Sequence, residues 1–319
     1  MEERIAFVLL NFNGYEKSVI CVDNLLEKLS GDYIIIIVDN GSKDGSGKKL
    51  YDRYEKNELV DFVLLDSNLG FSRGMNAGFE KAKAAGYNYI ALINNDTKIL
   101  SDHICEIMVE DYRIFQYDVL GPKIKNPDGD TSPNQNPYHG VEMNDHDAVE
   151  YYKKKARAAG WQLTLYKIRL DDIYFFFGKV HLKLQYLFRK SFRQPLDHAV
   201  SMKLKNRDKM EFHCGLHGSY MIFSPSYVKK YNGLIPVTFA YGEEWILYRQ
   251  CCVDDLLIMY EPRIVIWHDE HSVQNNMPGS EKEKYYNRLK IERKANQDIV
   301  QFMLNERKNG KCCDGKRKE

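Results

Sequence analysis

The stretch Tyr33-Ile34-Ile35-Ile36-Ile37-Val38-Asp39-Asn40-Gly41-Ser42-Lys43-Asp44-Gly45-Ser46 decides the fold. Its apolar part has no polar alternation and runs through four consecutive isoleucines, the pattern of a strand buried on both faces. Such strands belong to parallel sheets covered by helices. Outward from it, apolar runs at 5–10, 60–65 and 87–93 have the same character. Between them lie helical patterns: Val19, Val22, Leu25, Leu26 and Leu29 ending at Gly31, then 46–57, then 71–85. Alternating strands and helices on short loops predict a mostly parallel α/β sheet with right-handed crossovers. Ligands of such sheets collect at the carboxyl ends of the strands.

Those ends, at 11–15, 39–46, 66–76 and 94–97, carry the unusual residues. Asp39 can accept hydrogen bonds from a base or ribose, or close an Asx-turn before a capping serine. In Asn68-Leu69-Gly70-Phe71-Ser72-Arg73-Gly74-Met75-Asn76-Ala77-Gly78 the glycines admit close approach of a ligand and Arg73 offers a fork for phosphate. The same glycines also serve helix–strand packing. The strand ending in Asn94-Asn95-Asp96-Thr97 places a carboxylate where a hard divalent cation would share it with substrate phosphates; a helix cap is the alternative reading.

Taken together and in this order, these motifs resemble those of the family-2 glycosyltransferases, the large inverting family of GT-A fold that includes bacterial capsule and O-antigen sugar transferases. The resemblance is dense over about 4–125 and sparser over 214–272. It implies a Rossmann-like nucleotide-binding half with a mostly parallel central sheet, an acceptor-binding half, and here a basic helical insertion. The implied donor-binding residues are Asn11, Asn13, Asp39, Asn68, Arg73, Asn76, Asn94 and Asn95, with Asp96 on the metal. Asn94 replaces the first aspartate of the metal motif, leaving Asp96 its sole carboxylate. The acceptor-side motif corresponds to Phe239-Ala240-Tyr241-Gly242-Glu243-Glu244-Trp245-Ile246-Leu247. Inversion requires a carboxylate to take the acceptor hydroxyl's proton, so the resemblance implies Glu244 as base, with Glu243 its rival. An acidic pair at a helix start is also favoured by the macrodipole alone. Ile246 stands where the family has a second aspartate. In Ile266-Trp267-His268-Asp269-Glu270-His271-Ser272, His268 resembles the downstream histidine that joins Asp96 on the metal, and His271 is a weaker candidate. A neutral imidazole suits Mn2+ better than Mg2+.

The implied reaction moves a sugar from a nucleoside-diphosphate sugar to a glycan or lipid-linked oligosaccharide acceptor in surface polysaccharide synthesis. A nucleotidyltransferase would want a basic residue after the first strand, which Asn11-Phe12-Asn13-Gly14-Tyr15 lacks. A catalytically inactive nucleotide-sugar-binding or scaffold protein is the alternative that Asn94 and the Glu243-Glu244 pair motivate.

Composition sets the remaining bounds. A chain of 319 residues, 44% hydrophobic and 29% charged, is neither disordered nor, at net +1, a globally basic nucleic-acid binder. No nucleic acid partner is expected. The charge is uneven: 151–210 holds fifteen Lys/Arg against four Asp, leaving the remainder acidic. Over 151–193 cations interleave with aromatic and aliphatic residues, which suits either an anionic membrane surface or a helical insertion packed on the core. The best apolar run, 173–188, is interrupted by Lys179, His181 and Lys183 and is no spanning segment. The opening Met1-Glu2-Glu3-Arg4 does not read as a signal peptide. Seven cysteines without ligand spacing read as reduced thiols. The expected location is cytoplasmic, peripheral at the inner face of the cell membrane. The expected organisation is a nucleotide-sugar-binding half at 1–125, the insertion at 126–212, the acceptor half at 213–275, and a helix with a basic tail at 276–319.

Overall fold

A computed structural model describes residues 3–127, 135–138, 143–169, 207–269, 279–311 and 313. Strands β1 (Ile5–Asn11), β2 (Tyr33–Asp39), β3 (Val60–Leu64) and β4 (Tyr89–Asn94) lie parallel in the order β3-β2-β1-β4. Helices α1 (Tyr15–Lys28), α2 (Ser46–Tyr54) and α3 (Phe71–Ala84) make the crossovers. The continuous apolar runs are explained by cores on both faces. Ala6, Val8, Ile36 and Val38 meet Met75, Phe79 and Ala82 of α3. Phe7, Leu9, Ile35 and Ile37 meet Val22 and Leu25 of α1 and Leu50 of α2. Each buried Val, Leu, Ile, Met or Phe among them contributes roughly 1.5–3 kcal/mol. Gly78 lets α3 lie against β1, since a β-carbon there would collide with Val8.

Beyond β4 the sheet becomes mixed. Strand β5 (Thr97–Ile99), helix α4 (Ile104–Phe115) and β6 (Val119–Lys125) follow in the chain, then α5 (Asp145–Lys167). After β7 (Glu211–Phe212) and β8 (Tyr220–Phe223) come α6 (Pro225–Lys230), α7 (Glu243–Val253), β9 (Ile258–His268) and α8 (Glu281–Lys308). The order continues β4-β8-β6-β9-β5, with β7 also on β9; β8 is antiparallel to both its neighbours. The expected mostly parallel sheet is present: the first half is wholly parallel, β6 and β9 add a further parallel pair, and the antiparallel ladders are those of β8, β5 and β7. Segments 256–260 and 264–267, read from sequence as two strands, form the single strand β9. Its ladder with β6 skips from Glu261 to Val265 beside Pro122, which has no N–H to offer.

The long helix of the insertion, α5, is built into the molecule. Its Ala159 and Leu163 pack on Tyr286 and Leu289 of α8. Its first residue, Asp145, is buried against Arg249 of α7, accepting from Nε at 2.8 Å and from Nη2 at 3.0 Å. The amide of Cys313 donates to the same carboxylate. Arg249 also faces Glu306 at 3.6 Å and donates to the Lys311 carbonyl, whereas removing Arg249 would leave the buried Asp145 carboxylate without a cation, at about 3–5 kcal/mol. No described helix is long and apolar enough to cross a membrane.

Candidate active site

The ends of β1 and β2 are locked together. Buried Asn11 donates through Nδ2 to Asp39 Oδ1 at 2.7 Å and Ser46 Oγ at 3.0 Å, and accepts from Ser18 Oγ at 2.8 Å. Asp39 also takes the Ser42 hydroxyl and amide, so the Asx-turn reading of this motif is present in the structure. Gly47 in the first turn of α2 is pressed against that carboxylate, and a β-carbon there would strike it. Asn11 is thus spent on positioning Asp39. Asn13, at a left-handed φ of 52°, accepts from the Lys43 amide and faces the cavity described below.

The third strand end is held by Asn40. Its Nδ2 donates to Asn68 Oδ1 and Gly70 O, both at 3.1 Å, and its Oδ1 accepts from the Leu69 amide at 2.9 Å. Gly70, at φ 87°, leaves room for the Phe239 carbonyl, to which the Phe71 amide donates at 2.7 Å. The loop leading to α7 is docked on the glycine motif in this way. Four of the expected donor residues do not line the cavity described below: Asn11 and Asp39, tied to each other at the strand ends, and Asn76 and Arg73. Asn76 pairs both ends of its amide with the Leu234 backbone, each at 2.8 Å, and Arg73 is exposed and does not line the cavity.

Two cavities adjoin. The first, about 300 Å³, is lined by Asn13, Asn40, Asn68, Asn94, Asn95 and Asp96, with Phe12, Phe71 and Phe239 as apolar walls. The second, about 550 Å³, is lined by Tyr138, Tyr151, Tyr152, His217, Glu244 and Trp245, with Lys155 and Glu292. Tyr241 lines both.

Asp96 follows β4 and His268 ends β9, and the pairing of Thr97 with His268 brings them together. His268 Nε2 stands 3.4 Å from Asp96 Oδ1, and both side chains are almost wholly buried. Among the described residues no cluster of three His, Cys, Asp or Glu side chains stands ready for a metal ion. A carboxylate oxygen and an imidazole nitrogen facing each other nevertheless suit a divalent cation that takes its other ligands from phosphate and water. One usual support is missing: among the described residues His268 Nδ1 has no hydrogen-bond partner to orient the ring. His271 lies outside the described residues.

The two glutamates at the start of α7 diverge. Glu244 is half-buried, lines the second cavity and accepts from the Gly218 amide at 3.4 Å. Glu243 is buried and does not line it; the Thr238 hydroxyl lies 3.5 Å from its Oε1. Burial, and secondarily the charge of Glu244, pushes the Glu243 carboxyl up to about 8.

The turn 217–219 joins the two cavities and escaped the sequence reading. The Ser219 carbonyl accepts from the Asn94 amide at 2.9 Å, and the Gly218 amide holds Glu244. The His217 ring lies 5.4 Å from that of His268, and its own amide is held by buried Asn136 at 2.7 Å. Only a Gly-Ser pair before an apolar strand marked this turn in the sequence.

The parallel strand–helix half that ends at the first cavity and the mixed half that closes it are the architecture of a GT-A fold. The chain belongs to glycosyl transferase family 2, whose profile matches residues 7–182. Poly-beta-1,6-N-acetyl-D-glucosamine synthase of Staphylococcus epidermidis is 33% identical over 111 residues, 35% of this chain and 26% of that protein. The uncharacterized glycosyltransferase EpsJ of Bacillus subtilis is 32% identical over 101 residues, 32% of this chain and 28% of that one. The match thus spans about a quarter of the length of these curated relatives. The solved structure of GalNAc-T7 with UDP, GalNAc and Mn2+ superposes with a TM-score of 0.51 at 12% identity, covering 83% of this chain and 44% of that one, a likeness of fold.

Proposed function

We propose that the protein is an inverting glycosyltransferase that carries a sugar from a nucleoside-diphosphate sugar to a glycan or lipid-linked acceptor in surface polysaccharide synthesis, at the cytoplasmic face of the membrane. The observation that supports it is the meeting of two cavities at Tyr241, with Asp96 and His268 beside the first and Glu244 in the second. The first cavity takes the donor: Asn13, Asn68, Asn94 and Asn95 offer amides to base, ribose and phosphate, and the phenylalanines exclude water. A uridine donor is the choice the UDP-bound fold relative suggests.

Asp96 and His268 would hold a divalent cation, Mn2+ or Mg2+, against the diphosphate. When bound, that cation supplies Lewis-acid stabilisation of the charge that develops on the leaving group. Glu244 takes the proton of the acceptor hydroxyl as its oxygen attacks the anomeric carbon. The bond from that carbon to the diphosphate oxygen breaks, and its electron pair leaves with the nucleotide. Attack opposite the leaving group inverts the anomeric configuration. Held by the Gly218 amide, Glu244 is positioned before the acceptor arrives. The aromatic walls of the second cavity, Tyr138, Tyr151, Tyr152 and Trp245, suit the apolar faces of a sugar ring.

Turnover of UDP-sugars with Mn2+ and acceptor extract tests the proposal. Glu244→Gln is expected to lower kcat about 100- to 10,000-fold while donor binding persists. Donor binding without turnover by the wild type would favour a nucleotide-sugar-binding protein instead.

A further inference from the structure

Helix α5 turns a second face outward. Its buried stripe is Tyr152, Ala156, Ala159 and Leu163. At 3.6 residues per turn the opposite stripe is Lys154, Ala158, Trp161, Leu165 and Ile168, recurring at spacings of four, three, four and three. Trp161 is 72% exposed and Ile168 56%. Lys154, Arg157, Lys167 and Arg169 flank the stripe, all exposed. From Tyr151 to Arg169 there is no acid; the nearest, Glu150, is bonded to Lys153. A tryptophan and aliphatic side chains flanked by these cations match the interface of an anionic bilayer, where an amphipathic helix lies flat with its apolar stripe among the acyl chains.

The sector of α5 between its buried and outward stripes lines the second cavity, through Tyr151, Lys155 and Gln162, and Ala158 of the outward stripe lines it too. A bilayer against the outward stripe would therefore adjoin the mouth of that cavity. We infer that α5 docks the protein on an anionic lipid surface through Trp161, Leu165 and Ile168, clamped by Lys154 and Arg157, so that a lipid-linked acceptor enters the second cavity from the membrane side. The second clause rests on the function proposed above; the docking does not.

The full chain is mixed with vesicles of anionic phospholipid or of phosphatidylcholine and then sedimented. Co-sedimentation with the anionic vesicles only is expected, with a blue shift of tryptophan emission, because Trp161 is exposed whereas Trp245 is buried and Trp267 half-buried. Trp161→Phe should remove most of the shift and keep most of the binding. Lys154→Glu with Arg157→Glu should weaken binding about tenfold or more. Trp161→Ser with Ile168→Ser should weaken it as well, leaving transfer to a soluble acceptor unchanged. Equal sedimentation with both vesicle types, undiminished binding by both double variants, or a blue shift that follows protein concentration without lipid would overturn the inference. Vesicle binding without any sugar transfer would retain the docking and remove the proposed function.

Discussion

His268 Nε2 stands 3.4 Å from Asp96 Oδ1, two side chains from strand ends that are 172 residues apart in the chain and joined by the pairing of β5 with β9. Strand pairing holds the two groups at a separation that a single cation can bridge. We expect Asp96→Ala to abolish metal-stimulated turnover. His268→Ala should raise the Mn2+ concentration needed for half-maximal activity by about 10- to 100-fold, with far-UV circular dichroism unchanged. An unaltered Mn2+ titration for His268→Ala would remove this residue from the proposed metal site.

Glu243 gives the fold a pH dependence. Burial raises its carboxyl from 4.5 to about 8, so the folded chain holds a proton that the unfolded chain has released. The stability this proton confers is complete below the unfolded value, declines as pH rises from there, and is lost as pH passes through about 8. Glu243→Gln keeps the hydrogen-bonding shape without the titration. Its melting temperature should fall less steeply than the wild type's between mildly acidic pH and pH 8. Parallel melting curves across that range would contradict the burial of this carboxyl.

How much was legible in the sequence follows from which contacts are local. The isoleucines of β2 announced a strand buried on both faces, and the strand-end motifs marked the cavity because each sits directly after its own apolar run. Glu244 and His268 could be singled out because motif position carries them, and the structure places the one in the second cavity and the other beside Asp96. What stayed hidden depends on partners far along the chain. Strand β5 is three residues long and has pattern only against β9. The tie between Asn76 and Leu234 spans 158 residues, and an asparagine beside glycines looks the same whether it meets a ligand or a loop.

Asn76 separates those two readings experimentally. Its amide satisfies both the N–H and the carbonyl of Leu234, and Gly233 is packed against it so closely that a β-carbon would collide with the amide. Asn76→Ala leaves two backbone groups without these bonds, at about 1–3 kcal/mol each. A lowered melting temperature is expected, with the donor KM of the folded fraction near that of the wild type. A donor KM raised tenfold at unchanged stability would return Asn76 to the donor site.

Gly218 is the sharper test of the base. A β-carbon on it would lie 2.9 Å from Glu244 Oε1 and 3.2 Å from Glu244 Cδ. Its φ is not in the left-handed region, so alanine can adopt this backbone and the added methyl acts chiefly on the carboxylate. Displacing a catalytic group by even a fraction of an ångström misaligns attack, and a 1 Å error costs about 100-fold. Gly218→Ala should therefore lower kcat by about 10- to 100-fold while donor KM and melting temperature stay close to the wild type. Glu244→Asp, whose carboxylate is one methylene further back, should lose less activity in the Gly218→Ala background than in the wild-type one, because the shorter side chain withdraws from the added methyl. Additive losses in the double variant would mean that Gly218 does not act through Glu244.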